Sequence, residues 1–236
     1  MFIIGITGGT GAGKTTALRA LESLGAMVLD ADVIYHDLLS GNAEMKAEIA
    51  VEFAGISGGR VSGNVPGSVS DVSGSVPGNV PGSVSDVPGS VSDVSGGDAI
   101  DRKRLGEIVF NDPAALLRLN AITHKYVGAE IQRRLAEWER QGGTLAAIDA
   151  IALIESGRAA KCDVVVGVTA PKEIRIKRIM DRDRITREQA EKRINAQKPS
   201  EFYKQNCDYM LEGIYDTSAE FGQKCTEFFT QLISEA

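Results

Sequence analysis

Side chains that build disulfide frameworks or histidine-rich metal sites are scarce in this chain. Its 236 residues include three cysteines and two histidines. The odd number of cysteines, Cys162, Cys207 and Cys225, without Cys-x-x-Cys spacing, indicates reduced thiols and a cytoplasmic setting. With only two histidines, a His-rich metal site is not expected.

Long apolar runs and an excess of positive charge are also absent. No apolar run approaches ~18 residues, so we expect no transmembrane helix. We also expect no signal peptide, because Lys14 belongs to a motif instead of preceding an apolar run. The net charge of −6 argues against a general nucleic-acid or membrane-surface binder. It is compatible with a small polyanionic substrate, because local arginines can focus the field.

What the sequence does have is a glycine-rich segment directly after a short apolar run, residues 2–7. The segment has the spacing Gly8-x-x-x-x-Gly13-Lys14-Thr15, which is typical of a phosphate-binding loop between a strand and a helix. Glycines permit a tight turn that aims backbone N–H groups at phosphate oxygens, and the helix N-terminus adds partial positive charge. Lys14 can reach the β- and γ-phosphates, and the Thr15 hydroxyl can ligate Mg²⁺.

We therefore predict that this loop binds a nucleotide; the alternative is a glycine-rich turn that only joins a strand to a helix over residues 15–24. The predicted nucleotide-binding residues are Gly8, Gly9, Thr10, Gly11, Ala12, Gly13, Lys14, Thr15 and Thr16.

Acidic residues close two further predicted strands. Residues 26–30 predict a strand that ends in Asp30-Ala31-Asp32. If the strand persists to Asp32, both carboxylates project together at its carboxyl end, where open α/β sheets bind ligands. Alternatively, either carboxylate caps a helix that starts near Val33. Asp149 closes the predicted strand 144–148 and is either a Mg²⁺ ligand beside the phosphate loop or a plain loop carboxylate.

Residues 57–97 differ in composition from the rest of the chain. They contain no Lys, Glu or aromatic residue, residues 64–78 and 79–93 are nearly identical, and Gly-Ser-Val-Ser-Asp-Val starts at positions 67, 82 and 89. Such a segment buries too little apolar surface to offset its ordering entropy. We predict a flexible, disordered surface insertion; the alternative, a Ca²⁺-binding β-solenoid, does not fit the Asp spacing.

Predicted helices and strands alternate along the remaining chain. Helices are predicted at 33–55, at 101–110, from Asp112-Pro113 to about 141 with a break near Thr123, after Pro171, from the capping box Thr186-x-x-Gln189 to about 197, and after Thr217. Strands are predicted at 163–169 and 208–211. This alternation predicts an α/β fold, with a parallel sheet covered by helices on both faces.

A basic stretch follows Pro171. Its charged residues are Lys172, Arg175, Lys177, Arg178, Arg182, Arg184 and Arg187. Arg178 and Arg182 lie one helical turn apart and could hold transferring phosphates from a closing lid. The alternative is a solvated charged face.

Taken together, these motifs resemble those of the dephospho-coenzyme A kinase family. The matching features, in order, are the phosphate loop, Asp30-Ala31-Asp32, Asp101-Arg102 with Leu105, Val109 and Phe110, Leu119 to His124, Asp149-Ala150, Glu155-Ser156-Gly157, Arg178-x-x-x-Arg182-Asp183, Arg193 with Gln197, and Asp208-Tyr209. The phosphate loop alone indicates only a kinase or another NTPase, whereas the combination indicates this family.

The resemblance implies a P-loop kinase fold on residues 1–56 and 98–236, with a helical acceptor-side region and a lid at about 172–198. It implies ATP-dependent, Mg²⁺-assisted phosphorylation of the ribose 3′-hydroxyl of dephospho-coenzyme A, with small molecules and neither nucleic acid nor membrane as partners. By resemblance, Lys14, Asp32 and Arg182 are catalytic, Arg178 contacts ATP, and Arg102 and His124 join Asp32 on the acceptor side. Thr15 and Asp149 are the predicted metal ligands.

Two other functions remain open from the sequence. One is a nucleoside or nucleotide kinase with a related acceptor. The other is a catalytically weak nucleotide-dependent binding protein that uses the repeat as an interaction arm.

Overall fold

The computed structural model of the chain describes residues 1–53, 100–215 and 217–236, without the side chain of Arg102. The predicted insertion at 57–97 lies outside these ranges. In chain order, the elements of the described part are β1 (Phe2–Thr7), α1 (Lys14–Ser23), β2 (Met27–Asp30), α2 (Ala31–Gly41), α3 (Ala43–Glu52), α4 (Arg102–Asn111), α5 (Pro113–Arg140), β3 (Leu145–Asp149), a 3₁₀ helix (Arg158–Lys161), β4 (Val164–Thr169), α6 (Lys172–Asp183), α7 (Arg187–Asn195), α8 (Ser200–Asn206), β5 (Tyr209–Glu212) and α9 (Ser218–Ser234).

The strands form one parallel sheet in the order β2-β3-β1-β4-β5. The predicted α/β fold is therefore confirmed. β1 lies at the centre, so the loop that leaves its carboxyl end is flanked by the ends of β3 and β4. The register pairs Asp149 of β3 with Ile6 of β1 on one side and with Asp30 of β2 on the other. This pairing brings Asp149 and Asp30 to one edge of the sheet, as expected for parallel strands that end together.

The central strands are apolar because both of their faces are buried. β4 is buried along its whole length, and β3 is buried up to Ile148. One core cluster joins the sheet to α1 and α9, with Leu21 and Phe229 among its fully buried side chains. Full burial of a large apolar side chain contributes roughly 1.5–3 kcal/mol, so this cluster holds the phosphate-loop region in place.

Two helix predictions need correction. The helix predicted at 33–55 is two helices, α2 and α3, because the side chain of Asn42 accepts a hydrogen bond from the Met45 N–H (2.7 Å) and starts a new helix. The predicted break near Thr123 is wrong, since α5 runs on through it. The Thr123 hydroxyl donates to the Asn120 carbonyl (3.2 Å), so its polar group is satisfied inside the helix.

Most predicted helix starts have the expected caps. Thr186 and Thr217 form capping boxes with Gln189 and Glu220, and Asp112 accepts from the Ala114 N–H at 2.8 Å. Helix α8, which follows Pro199, was not predicted.

The described residues divide into two compact units. The first comprises 1–34 and 128–236 and contains the sheet. The second comprises 35–53 and 100–127, and its own apolar cluster includes Met45, Ile49 and Leu105. Within it, the Glu48 carboxylate accepts hydrogen bonds from Lys125 (2.8 Å) and Tyr126 (2.7 Å). Among the helices of the described ranges, none is long and apolar enough to cross a membrane.

Candidate active site

The loop between β1 and α1, residues 8–13, has a backbone that only glycine tolerates at key points. Gly8 and Gly13 have φ values of 141° and 114°, in the region that disfavours side chains. A Cβ on Gly8 would also collide with the carbonyl oxygen of Val168 in β4. The loop therefore lies tightly on the sheet and leads into the N-terminus of α1, which begins at Lys14. This geometry suits anion binding by backbone N–H groups.

Lys14 folds back over this loop. Its Nζ donates to the Gly8 carbonyl at 2.8 Å. Burial lowers the pKa of Lys14, the charges of Asp149 and Asp32 partly offset that effect, and those of Arg175 and Arg182 add to it. Both carboxylates and both guanidinium groups are therefore close enough to Lys14 to act on its charge.

Asp149 is the carboxylate with the most perturbed surroundings in this region. Burial raises its pKa to about 6; Lys14 opposes this, and Asp30 and Asp32 reinforce it. Its Oδ1 is fully buried and has no hydrogen-bond partner among the described residues. A buried carboxylate oxygen without a partner is costly, so this atom is suited to a cation or to water held by a cation. The residues present thus fit the predicted metal.

Asp30 and Asp32 have different environments. Strand β2 ends at Asp30 and α2 begins at Ala31, so the strand does not persist to Asp32, and the alternative of a helix cap applies to Asp30. Asp30 Oδ1 accepts hydrogen bonds from the N–H groups of Asp32 (2.8 Å) and Val33 (3.0 Å) and is the helix cap. Asp32 lies exposed in the first turn of α2, where it is not needed as the cap.

The two predicted lid arginines lie on α6 and have different partners. Arg178 Nη1 is 3.3 Å from the Gly11 carbonyl oxygen and 3.4 Å from that of Ala12, so it contacts the phosphate loop itself. Arg182 pairs with the neighbouring Asp183 at 2.6 Å, and Arg193 of α7 binds the same carboxylate at 2.6 Å. These pairs place the basic cluster beside the loop at Arg178 and hold α6 to α7 at Asp183.

Three residues in this region were missed as site residues. Arg175 and Gln197 both bind the Thr10 backbone. Arg158, in the 3₁₀ helix after β3, has a buried Nε without a partner among the described residues; burial lowers its pKa and the charge of Asp32 raises it. The spacing of Arg175, three residues before Arg178 and seven before Arg182, could have identified it, since these positions share one helix face.

The remaining predicted residues lie at the loop's end and in the second unit. Thr15 is exposed and Thr16 half-buried in the first turn of α1. Arg102 is the first residue of α4. His124 lies on α5 and is half-buried. Their roles stay predictions.

Within the described ranges, no group of three or more His, Cys, Asp or Glu side chains could hold a metal ion. The described cysteines are free, and burial raises the pKa of Cys162 to about 12.

Comparison with known proteins identifies the family. The sequence profile described as dephospho-CoA kinase matches residues 2–57 and 92–217. The dephospho-CoA kinase of Geobacter sulfurreducens is 34% identical over 202 residues, which cover 85% of this chain and 84% of that protein. That of Thermobifida fusca is 30% identical over 232 residues, covering 98% and 96%.

Solved structures support the fold. A protein of Thermus thermophilus superimposes with a TM-score of 0.66 at 25% identity and covers 99% of this chain and 97% of its own. The dephospho-CoA kinase of Campylobacter jejuni superimposes with a TM-score of 0.57 at 24% identity, covering 98% and 96%. The profile match and the relatives together establish that the chain belongs to the dephospho-CoA kinase family.

Proposed function

We propose that this protein transfers the γ-phosphoryl group of ATP to the ribose 3′-hydroxyl of dephospho-coenzyme A, with Lys14, Asp32, Asp149 and Arg182 in the roles given below. The products are coenzyme A and ADP, and the reaction is the last step of coenzyme A biosynthesis. The observation that carries the proposal is the group of charges beside the phosphate loop. Lys14 and Asp149 are both partly withdrawn from water, and Asp32 acts on the charge of each.

Lys14 and the loop would hold the phosphates. A cation that burial has desolvated interacts more strongly with phosphate oxygens than one in water, because the local dielectric constant is lower. As charge develops on the transferring group, Lys14 and the two lid arginines, Arg178 and Arg182, stabilise it. The bond from the γ-phosphorus to the bridging oxygen breaks, and ADP leaves with the electron pair.

Asp32 would receive the proton of the attacking hydroxyl. The helix-cap role belongs to Asp30, so the carboxylate of Asp32 can face the acceptor without a loss of helix stability. Arg102 and His124 are proposed to contact the acceptor.

The Thr15 hydroxyl and Asp149 Oδ1, which is buried without a hydrogen-bond partner among the described residues, would hold Mg²⁺. When bound beside a phosphate loop, this ion neutralises phosphate charge and orients the γ-phosphoryl group.

The first experiment measures ADP release with dephospho-coenzyme A and, in parallel, with a panel of nucleosides and nucleotides. We expect acceptor-dependent ADP release with dephospho-coenzyme A only. Faster turnover of a nucleoside would reassign the acceptor. ATP binding without release of ADP for any acceptor would support a binding protein instead.

The second experiment tests Asp32. We expect Asp32→Asn to lower kcat by about 10²-fold, at the low end of general-base contributions, with little change in ATP affinity. Asp37→Asn, an exposed carboxylate on the same helix, is the matched control and should leave kcat unchanged. An unaltered kcat in Asp32→Asn would contradict its catalytic role.

A further inference from the structure

Thr10 of the phosphate loop is held by two side chains from a distant part of the sequence. Its N–H donates to Gln197 Oε1 (2.9 Å), and its hydroxyl oxygen accepts from Gln197 Nε2 (2.7 Å). Its carbonyl oxygen accepts from Arg175 Nε (2.9 Å). Arg175 Nη2 in turn donates to Gln197 Oε1 (2.7 Å). The backbone N–H, the carbonyl and the hydroxyl of this one loop residue are thus all bound within a closed network.

Arg175 is unusual for a charged side chain because only 7% of its surface is exposed. Among the described residues, its guanidinium donates to two neutral oxygens, those of Thr10 and Gln197. A buried cation without a carboxylate partner is unfavourable, and burial indeed lowers the pKa of Arg175. A ligand with negative charge at the loop would offset this cost.

The loop packs directly against this pair. A Cβ on Gly9 would collide with the guanidinium of Arg175 and approach Gln197 Oε1 to 2.9 Å. A Cβ on Gly11 would approach the Arg175 carbonyl oxygen to 2.9 Å. The backbone of the loop therefore has no room to shift toward α6.

The same pair connects the loop to the predicted lid. Arg175 is in the first turns of α6, and Gln197 comes two residues after the end of α7. The helices are held together by an apolar cluster of Ile176, Ile179, Ala190 and Ile194. Arg178 and Arg182, the proposed phosphate ligands, lie on the same helix as Arg175.

We propose that Arg175 and Gln197 are positioning residues, which fix Thr10 and thereby set the phosphate loop and the lid arginines in one arrangement for the nucleotide. The inference rests on the proposed function for the identity of the nucleotide. Its consequence is specific: loss of the network should weaken ATP binding and leave the acceptor's KM unchanged.

The test measures the Kd of ATP by calorimetry with Mg²⁺ and without acceptor, at a temperature where each variant is fully folded. Because the acceptor is omitted, this measurement tests the positioning role separately from the assay that identifies the acceptor. Either proposal can therefore fail without the other. We expect Arg175→Gln to weaken ATP binding by about tenfold or more, since hydrogen bonds from a charged donor are roughly twice as strong as neutral ones and Arg175 donates two of them to the network. The KM for dephospho-coenzyme A should stay within about twofold.

Gln197→Glu separates positioning from stability. A carboxylate at this position can still accept from Thr10 and Arg175, and its pairing with the buried guanidinium should keep or raise the melting temperature. It cancels the positive charge beneath the loop and replaces the donor to the Thr10 hydroxyl. We expect this variant to be folded and to bind ATP about tenfold more weakly.

Arg187→Gln is the matched control. Arg187 of α7 also joins α6, through Glu173 at 2.8 Å, but it is exposed and has no hydrogen bond to the loop. Its loss should leave the Kd of ATP unchanged.

ATP affinities within twofold of wild type in folded Arg175→Gln and Gln197→Glu would overturn the proposal. If Arg175→Gln does not fold, Gln197→Glu decides alone. A Gln197→Glu chain that fails to fold would also overturn the proposal, because the network would then be a requirement of the fold.

Discussion

Replacing Asp149 by asparagine should stabilise the ligand-free protein at neutral pH while impairing its chemistry. Burial raises the pKa of this carboxyl from 3.8 to about 6. The folded protein therefore holds the proton more tightly than the unfolded chain does. Its unfolding free energy must then fall as the pH rises from about 4 to about 6, and this loss persists above that range.

The size of the effect follows from the same values. Each pKa unit corresponds to about 1.4 kcal/mol, so the displacement from 3.8 to about 6 corresponds to about 3 kcal/mol above pH 7. This figure already includes the attraction of Lys14, which lowers the pKa of Asp149. Asparagine has no charge to desolvate, and we expect Asp149→Asn to gain about 1–3 kcal/mol at about pH 8 and much less at about pH 4.

Urea unfolding between about pH 4 and pH 8 measures the difference. The fluorescence of Trp138 is a suitable signal, because it is the single tryptophan and its Nε1 donates to the Leu145 carbonyl (2.9 Å) at the start of β3. Asp181→Asn, an exposed carboxylate on α6, is the control and should change little. An Asp149→Asn variant no more stable than wild type at pH 8, or equally stabilised at every pH, would refute the reasoning.

Three further results are expected. Below about pH 6, the apparent Mg²⁺ affinity of the ATP-bound wild-type protein should fall by up to about tenfold per pH unit, because protonation of Asp149 competes with the metal. The fall should be less steep in Asp149→Asn. Parallel curves of Mg²⁺ affinity against pH for the two ATP-bound proteins would contradict this. Lys14→Ala should reduce phosphoryl transfer at least 10²-fold with the fold intact by circular dichroism, and near wild-type turnover would remove Lys14 from the mechanism. Replacing residues 60–96 by a short Gly/Ser linker should leave the melting temperature and activity largely unchanged, because the segment's composition offers little to bury; a large loss of either would show that it has a structural or functional role.

The strands were predictable because composition and polarity change sharply at their ends. Residues 2–7 and 163–169 are apolar runs bounded by glycine, proline or acid, and β1 and β4 match them within one residue. Capping boxes at Thr186 and Thr217 were predictable because each joins two residues only three positions apart in the sequence. Features set by a few neighbouring residues can be read directly from the sequence.

Other features depend on choices that the local sequence leaves open. Asn42 is compatible with a helix interior or with a cap, and only its bond to Met45 makes it a boundary. Asp30 and Asp32 are two residues apart, and either could have capped α2. The structure gives this role to Asp30, which ends β2 opposite Asp149.

Contacts distant in sequence were the hardest to predict. Thr10 and Arg175 are 165 residues apart. The spacing of Arg175, Arg178 and Arg182 indicates a shared helix face, but it does not indicate that Arg175 binds the loop backbone. The sequence indicates only that basic residues of α6 could hold transferring phosphates. The structure adds that Arg175 and Arg178 also contact the backbone of the loop itself.

Among the described residues, the charges around the loop are incompletely matched. Arg175 is buried against neutral oxygens, Lys14 donates to a carbonyl, and Asp149 keeps one buried oxygen without a partner in the described part of the chain. Each arrangement disfavours the folded state without ligand, since desolvated charges lack full compensation. A phosphate group would compensate the two cations, and a divalent cation would compensate the carboxylate. Mg²⁺ and ATP bound together would therefore offset all three desolvated charges, which neither ligand would do alone. The expected consequence is cooperative binding: Mg²⁺ should raise ATP affinity more in wild type than in Asp149→Asn, and equal enhancement in both would show that Asp149 does not contribute to it.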